Sequence, residues 1–254
     1  MKIEGAVALV TGANRGLGRV FTRELLARGA AKVYGAARSP DAEVEPGVTP
    51  LTLDITDADR ITEVARQCAD VSILVNNAGV MLASSFIGTP TLESAHREMD
   101  TNYFGTLGMC RAFAPVLAAN GGGAIVNMLS VSSFSTNPLD ASYGASKAAA
   151  WSLTNGIRVE LAHQHTLVVA VHASFIDTDM AALTDAPKIS PESVAQQAFD
   201  AVEAGQIEVL ADERSRFVKG SLSRDHELIY PPYSSSGTTP SPDLSRRGGR
   251  SSRP

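Results

Sequence analysis

The stretch Val7-Ala8-Leu9-Val10-Thr11-Gly12-Ala13-Asn14-Arg15-Gly16-Leu17-Gly18 decides the fold. Its four leading apolar residues have the composition of a short strand buried on both faces, and Gly16 to Arg28 carries helical apolar spacing. A strand that runs through three glycines straight into a helix is the first turn expected of a nucleotide-binding βαβ unit. Gly12 permits the tight turn, Gly16 removes a side chain where a pyrophosphate must approach backbone N–H groups, and Gly18 lets the helix pack close to the strand. The glycines are spaced by four and then two, unlike Gly-x-Gly-x-x-Gly, but the physical demand is the same.

Outward from that turn, short apolar runs alternate with long amphipathic segments. Further strands are predicted at Lys32–Ala36, Leu51–Leu53, Ile73–Val75, Ala124–Met128, Leu167–Val171 and Ile207–Leu210. Helices are predicted at Gly16–Arg28, Asp57–Cys68, Thr91–Ala119, Ala141–His163 and Pro191–Ala204, with Thr56 and Ser190 as N-caps. Uniformly apolar strands in unbroken alternation with helices predict one doubly wound α/β domain, a Rossmann fold with a seven-stranded, mostly parallel sheet and helices on both faces. Pro231-Pro232 ends the regular pattern, so residues 1–230 are expected to form the catalytic domain and residues 231–254, rich in Ser, Gly, Pro and Arg, a disordered tail.

The composition narrows the function classes. Of 254 residues, 44% are hydrophobic and 19% charged, enough for a sizeable core in a globular protein. No run approaches the length of a membrane span, and the N-terminus leads into the first strand without a signal-peptide core, which predicts a cytoplasmic protein that does not enter a membrane. Cys68 and Cys110 lie in helical patterns without metal-ligand spacing and are expected to be buried fillers in a reducing compartment. The net charge is −5, and because Arg246, Arg247, Arg250 and Arg253 sit in the tail, the body is more acidic still. Such a body does not attract nucleic acid.

After the second strand, Gly35-Ala36-Ala37-Arg38 offers no carboxylate for a ribose 2′-hydroxyl; Arg38 and Arg15 instead suit a 2′-phosphate, which predicts NADP(H). In Tyr143-Gly144-Ala145-Ser146-Lys147 the phenol and ammonium are four residues apart on one helix face. An ammonium near a phenol favours the phenolate, so Tyr143 is a candidate acid/base for an alcohol–carbonyl pair, with Lys147 depressing its pKa. Ser130, thirteen residues before Tyr143, closes a strand where it can hydrogen-bond the substrate oxygen. Asn102 interrupts a long helix with a polar group that can bind water and extend a proton path from Lys147.

A Tyr-x-x-x-Lys pair alone occurs in many helices; the ordered combination is more specific. The glycine turn, Asn76-Asn77-Ala78-Gly79, Asn102, Ser130, Tyr143 and Lys147 together resemble the short-chain dehydrogenase/reductase family in its compact subtype. The similarity covers residues 5–180 well and 190–220 loosely. The resemblance implies a coenzyme loop of Thr11, Gly12, Asn14, Arg15, Gly16, Leu17 and Gly18, an adenine contact at Asp54 and Ile55, and a border of Asn77, Ala78 and Gly79. It further implies that Ile176 and Thr178 meet the nicotinamide end, that Asn76 is structural, and that Tyr143 and Lys147 bind the coenzyme as well as acting in catalysis.

Two departures from the family pattern stand out. Ala173-Ser174 replaces the usual Pro-Gly, so Ser174 is expected to adopt a glycine's backbone angles. The Asp-Gly-Gly ending of tetrameric relatives is missing, which predicts a monomer or homodimer. Val80, Met81, Phe86, Phe134, Leu139, Phe175, Met180 and Leu183 are candidates either for an apolar substrate pocket or for core, whereas His163, His165 and His172 are expected to be structural. The expected activity is NADP(H)-dependent interconversion of a ketone or aldehyde and its alcohol; the alternative is a non-catalytic NADP(H)-binding regulatory or scaffold protein.

Overall fold

The computed structural model describes residues 1–39, 45–182, 184–223 and 229–230. The proposed tail, 231–254, and Leu183 lie outside the described residues. In chain order the elements are β1 (Val7–Thr11), α1 (Gly16–Ala27), β2 (Lys32–Ala37), β3 (Thr49–Thr52), α2 (Ala58–Gln67), β4 (Ile73–Asn76), α3 (Glu93–Met99), a π-helical stretch (Asp100–Gly105), α4 (Thr106–Ala119), β5 (Gly123–Met128), α5 (Ala141–Glu160), β6 (Thr166–His172), α6 (Pro191–Ala204), β7 (Glu208–Leu210) and α7 (Glu213–Ser221).

The sheet runs β3-β2-β1-β4-β5-β6-β7, and every neighbouring pair is parallel. Strand order reverses direction at the β1–β4 pair, which opens a crevice beyond the carboxyl ends of these strands. One face of the sheet is covered by α1 and α6, whose Phe21 and Phe199 meet edge to face at 5.5 Å between ring centres. The other face is covered by α2, α4 and α5, with Met109, Phe113 and Leu117 fully buried. Burial on both faces explains the continuous apolar composition of the inner strands, while β3, at the edge, keeps only Leu51 buried.

Several local expectations change. The N-cap of α2 is Asp57, whose Oδ1 accepts the Arg60 amide at 2.9 Å; Thr56 instead donates its amide and hydroxyl to Asp54 at 2.9 and 2.8 Å. Ser190 caps α6 as expected, accepting the Ser193 amide at 3.2 Å. The single helix expected over 91–119 is three pieces, because the ladder widens to π geometry around Asn102. Helix α7 was not anticipated, although Asp212 caps it by accepting the Ser215 amide at 2.8 Å. Both cysteines are free and buried, and no described helix is long and apolar enough to cross a membrane.

Candidate active site

The glycine turn is fixed from β4. The Thr11 hydroxyl, almost fully buried, donates to the Val75 carbonyl at 3.3 Å and accepts the Asn77 and Ala78 amides at 3.0 Å each. The Asn77 side-chain amide donates to the carbonyls of Thr11 and Gly12 at 2.9 and 3.3 Å. Thr11 and Asn77 therefore use their polar side chains to build the loop. Gly12 and Gly16 adopt φ of +66° and +51°, which side chains rarely tolerate. A Cβ on Gly18 would lie 2.0 Å from the Gly12 carbonyl oxygen, so the close helix approach inferred from sequence is real.

A Cβ on Gly16 would meet only Thr178, at 3.5 and 3.7 Å, so the turn and the segment after β6 face one another across a narrow gap. Beside it, Arg15 pairs with Asp179 at 3.7 Å while remaining well exposed. The Ala13 amide donates to the Ala36 carbonyl at 3.0 Å, which ties the turn to the end of β2; Arg15 and exposed Arg38 each follow that bond by two residues. Asn14 is half-buried in the same turn, and Leu17 is buried. Ile55 is buried against Gly105 of the π stretch, and Ala78 and Gly79 are half-buried beyond β4.

Asn102 is 1% exposed. Its Oδ1 accepts the Val80 amide at 2.9 Å, and its Nδ2 donates to the Val80 carbonyl at 2.8 Å and the Ser146 hydroxyl at 2.9 Å. The side chain is thus taken up by the framework. Gly79 leaves the space between Asn102 and Lys147 open: a Cβ there would be 3.0 Å from Asn102 Oδ1 and 3.5 Å from Lys147 Nζ.

Ser130 follows β5 by two residues in extended conformation, and its Oγ accepts the Ser132 amide at 3.1 Å while its hydroxyl hydrogen-bonds the Tyr143 phenol. Its carbonyl accepts a hydrogen bond from Nδ1 of His172 at 3.1 Å. That assigns the imidazole proton to Nδ1, because a carbonyl can only accept. His172 is fully buried, stacks on Phe134 at 4.2 Å, and is pushed down to about 4 chiefly by burial.

Tyr143 and Lys147 lie on one face of α5, both buried. Burial raises the Tyr143 phenol to about 12, opposed by the Ser130 hydroxyl beside it and reinforced by the acidic Asp140 and Glu98. Burial lowers Lys147 to about 8, and its Nζ donates to the Met128 carbonyl at 2.9 Å. The expected depression of the phenol by Lys147 is therefore absent: desolvation outweighs an ammonium directed at the backbone.

Ser174 is not strained as expected, since Ala83 and His165 are the non-glycine residues with positive φ among those described. Its amide donates to Asp212 Oδ2 at 2.6 Å. Of the pocket candidates, Phe134 is core, packed with Val131, Val218 and Trp151. Phe86, Leu139 and Met180 are exposed, while Val80, Met81 and Phe175 are half-buried, as is Ile176, a residue expected at the nicotinamide end. Sequence reading passed over Glu98, Ser142 and Ser146, which bond around Tyr143; the signal was their four-residue spacing from Asn102 and from each other. Among the described residues no group of His, Cys, Asp and Glu is placed to hold a metal ion.

Comparison with known proteins gives the same frame. The short chain dehydrogenase family profile matches residues 6–188. An uncharacterized oxidoreductase of Staphylococcus saprophyticus is 31% identical over 219 residues, 80% of this chain and 93% of that protein. The 3-oxoacyl-[acyl-carrier-protein] reductase of Thermotoga maritima is 29% identical over 244 residues, 87% of this chain and 96% of that protein. Among solved structures, a short chain dehydrogenase from Burkholderia cenocepacia in complex with NADP superposes with a TM-score of 0.86 at 40% identity, covering 91% of this chain and 98% of that one.

Proposed function

The chain belongs to the short-chain dehydrogenase/reductase family of oxidoreductases, and from that premise we propose that it interconverts a ketone or aldehyde with the corresponding alcohol, using NADP(H). The observation that carries this reading is the meeting of a buried phenol, a buried ammonium and a serine hydroxyl beside the phenol near the carboxyl end of β5.

The residues present fit a dinucleotide. Gly12 and Gly16 hold angles that a side chain would strain, and the gap between Gly16 and Thr178 is one that a side chain would fill. Backbone N–H groups at the start of α1 suit a pyrophosphate, and Arg15 with Arg38 suits a 2′-phosphate. Asp54, whose Oδ1 is engaged by Thr56, and Ile55 would border the adenine; Ile176 and Thr178 would border the nicotinamide. NADP bound by the Burkholderia cenocepacia relative supports this choice of coenzyme. When bound, the coenzyme supplies or accepts the hydride.

The protein's own part is proton handling and orientation. Ser130 donates its hydroxyl proton to the substrate oxygen while its Oγ stays anchored on the Ser132 amide. With a pKa of about 12, Tyr143 is protonated at neutral pH and poised to donate, which suits carbonyl reduction. The reverse reaction requires a phenolate, hence a Lys147 ammonium redirected from the Met128 carbonyl. Val80, Met81 and Phe175 support an apolar substrate wall.

An NADPH-consumption screen over aldehydes, aromatic ketones, diketones and quinones, with NADH alongside, tests the proposal. Turnover confined to NADPH and abolished in Tyr143→Phe is the expected result. A Tyr143→Phe protein with full activity overturns the mechanism, and equal or better turnover with NADH overturns the coenzyme assignment.

A further inference from the structure

Asn102 bridges the segment after β4 to the catalytic helix: it holds both backbone groups of Val80 and donates to Ser146 of α5 at 2.9 Å. One turn earlier on α3, Glu98 repeats the arrangement. Its Oε1 accepts the Leu82 amide at 2.6 Å, and its Oε2 accepts the Ser142 hydroxyl proton. Ser142 and Ser146 are themselves one turn apart on α5, with Tyr143 between them in sequence. Ser84 completes the row, its carbonyl accepting the Ser142 amide at 3.3 Å. Val80, Leu82 and Ser84, alternate residues of one segment, are thus pinned in turn to Asn102, Glu98 and Ser142.

Two further features mark the Glu98 rung as built. Glu98 is 0% exposed, yet its partners are an amide and a hydroxyl and not a cation, an unfavourable place for a carboxyl group unless both bonds are kept. Between the two anchored residues, Ala83 takes φ +50°. A left-handed alanine persists only where its neighbours fix the backbone, and here Leu82 and Ser84 do so.

We propose that Glu98 is a positioning residue whose carboxyl group ties the Val80–Ser84 segment to the first turn of α5 and thereby sets the substrate wall relative to Tyr143. The functional half of this proposal rests on the carbonyl-reductase reading; the clamp itself does not. Glu98 lies away from the glycine turn, so its loss acts on the carbonyl substrate and leaves coenzyme binding intact. Glu98→Gln keeps an acceptor for the Leu82 amide and offers its own amide to the Ser142 hydroxyl oxygen, whereas Glu98→Ala removes both bonds.

The test pairs backbone hydrogen exchange of the full chain with steady-state kinetics on an aromatic diketone or quinone that the wild type reduces. In Glu98→Ala, amides of residues 80–86 are expected to exchange about tenfold faster, as the loss of one buried hydrogen bond implies, with residues 11–18 unchanged. The KM for the carbonyl should rise about fivefold or more while that for NADPH stays within about twofold, and Glu98→Gln should restore both readouts. Ser142→Ala, which leaves the Leu82 bond, should give a smaller change in the same residues and serves if Glu98→Ala does not fold. Wild-type exchange over 80–86 in these variants, or an equal loss of coenzyme binding, overturns the proposal. If the wild type reduces no carbonyl, the functional reading fails and the exchange data alone decide the clamp.

Discussion

Lys147 stands one helical turn beyond Tyr143, yet its ammonium donates to the Met128 carbonyl at 2.9 Å and lies 5.8 Å from the centre of the phenol ring. The two groups share one helix face without bonding each other: burial holds the phenol at about 12 and the ammonium at about 8.

Lys147 therefore destabilises the fold at neutral pH. Its pKa falls from 10.5 to about 8 on folding, so between those values the unfolded chain binds more protons and stability rises with pH. Below pH 8 the full penalty is present, about 3 kcal/mol by the pKa difference, offset in part by the bond to Met128. Lys147→Met is expected to be more stable than the wild type by about 2 kcal/mol at pH 7 while losing at least about 100-fold in kcat, measured by denaturant titration and NADPH oxidation. A destabilised variant would contradict the assigned cost.

His172 acts on the acid side. Its pKa drops from 6.5 to about 4 on folding, so the stability it contributes is complete above pH 6.5 and is lost as pH falls toward 4. The loss amounts to about 3 kcal/mol from this group. His172→Asn, which retains a donor for the Ser130 carbonyl, should flatten the slope of Tm against pH between 4 and 6.5. An unchanged slope would show that other groups set the acid limb.

Arg38 and Arg15 are exposed cations beside the glycine turn and the end of β2. Removing either should weaken NADPH binding by about 10- to 100-fold, the worth of a charge-assisted bond, with little change for NADH. Titration of coenzyme fluorescence against Arg38→Ala and Arg15→Ala checks this; parallel losses for both coenzymes would remove the 2′-phosphate from the explanation.

Gly18 has no room for a side chain, because a Cβ would sit 2.0 Å from the Gly12 carbonyl oxygen and 2.6 Å from Asn77 Nδ2. Gly18→Ala should displace α1 from the turn, lower Tm by several degrees and abolish measurable coenzyme binding. Gly156→Ala, where nothing lies within 4 Å of the added methyl, is the control and should match the wild type or exceed its stability. Equal behaviour of the two variants would refute the packing role of Gly18.

The reach of the sequence differed from element to element. Strands such as Leu167–Val171 and the Ser190 cap were legible because apolar runs and capping residues act locally. Helix α7 was missed because its residues are mostly polar and its inward side is short, with Ser215, Val218 and Ser221 buried and Phe217 half-buried. The π stretch was visible only as a polar Asn102 interrupting a long helix; that residue bonds to Val80 and Ser146. Phe134 illustrates the opposite error, since an aromatic near Ser130 suits a pocket wall as well as the core that it joins with His172 and Trp151.

The sequence by itself determined the alternation of strands and helices, the glycine turn at the first βα junction, and the order of Asn102, Ser130, Tyr143 and Lys147, because each is written in neighbouring residues. Tertiary structure alone decided what those groups do at rest. Thr11 and Asn77 brace the turn across β1 and β4, Glu98 finds Leu82 and Ser142, and Lys147 finds Met128. Those partners come from distant parts of the chain, and burial among them, which no local spacing records, sets the direction in which Tyr143, Lys147 and His172 shift.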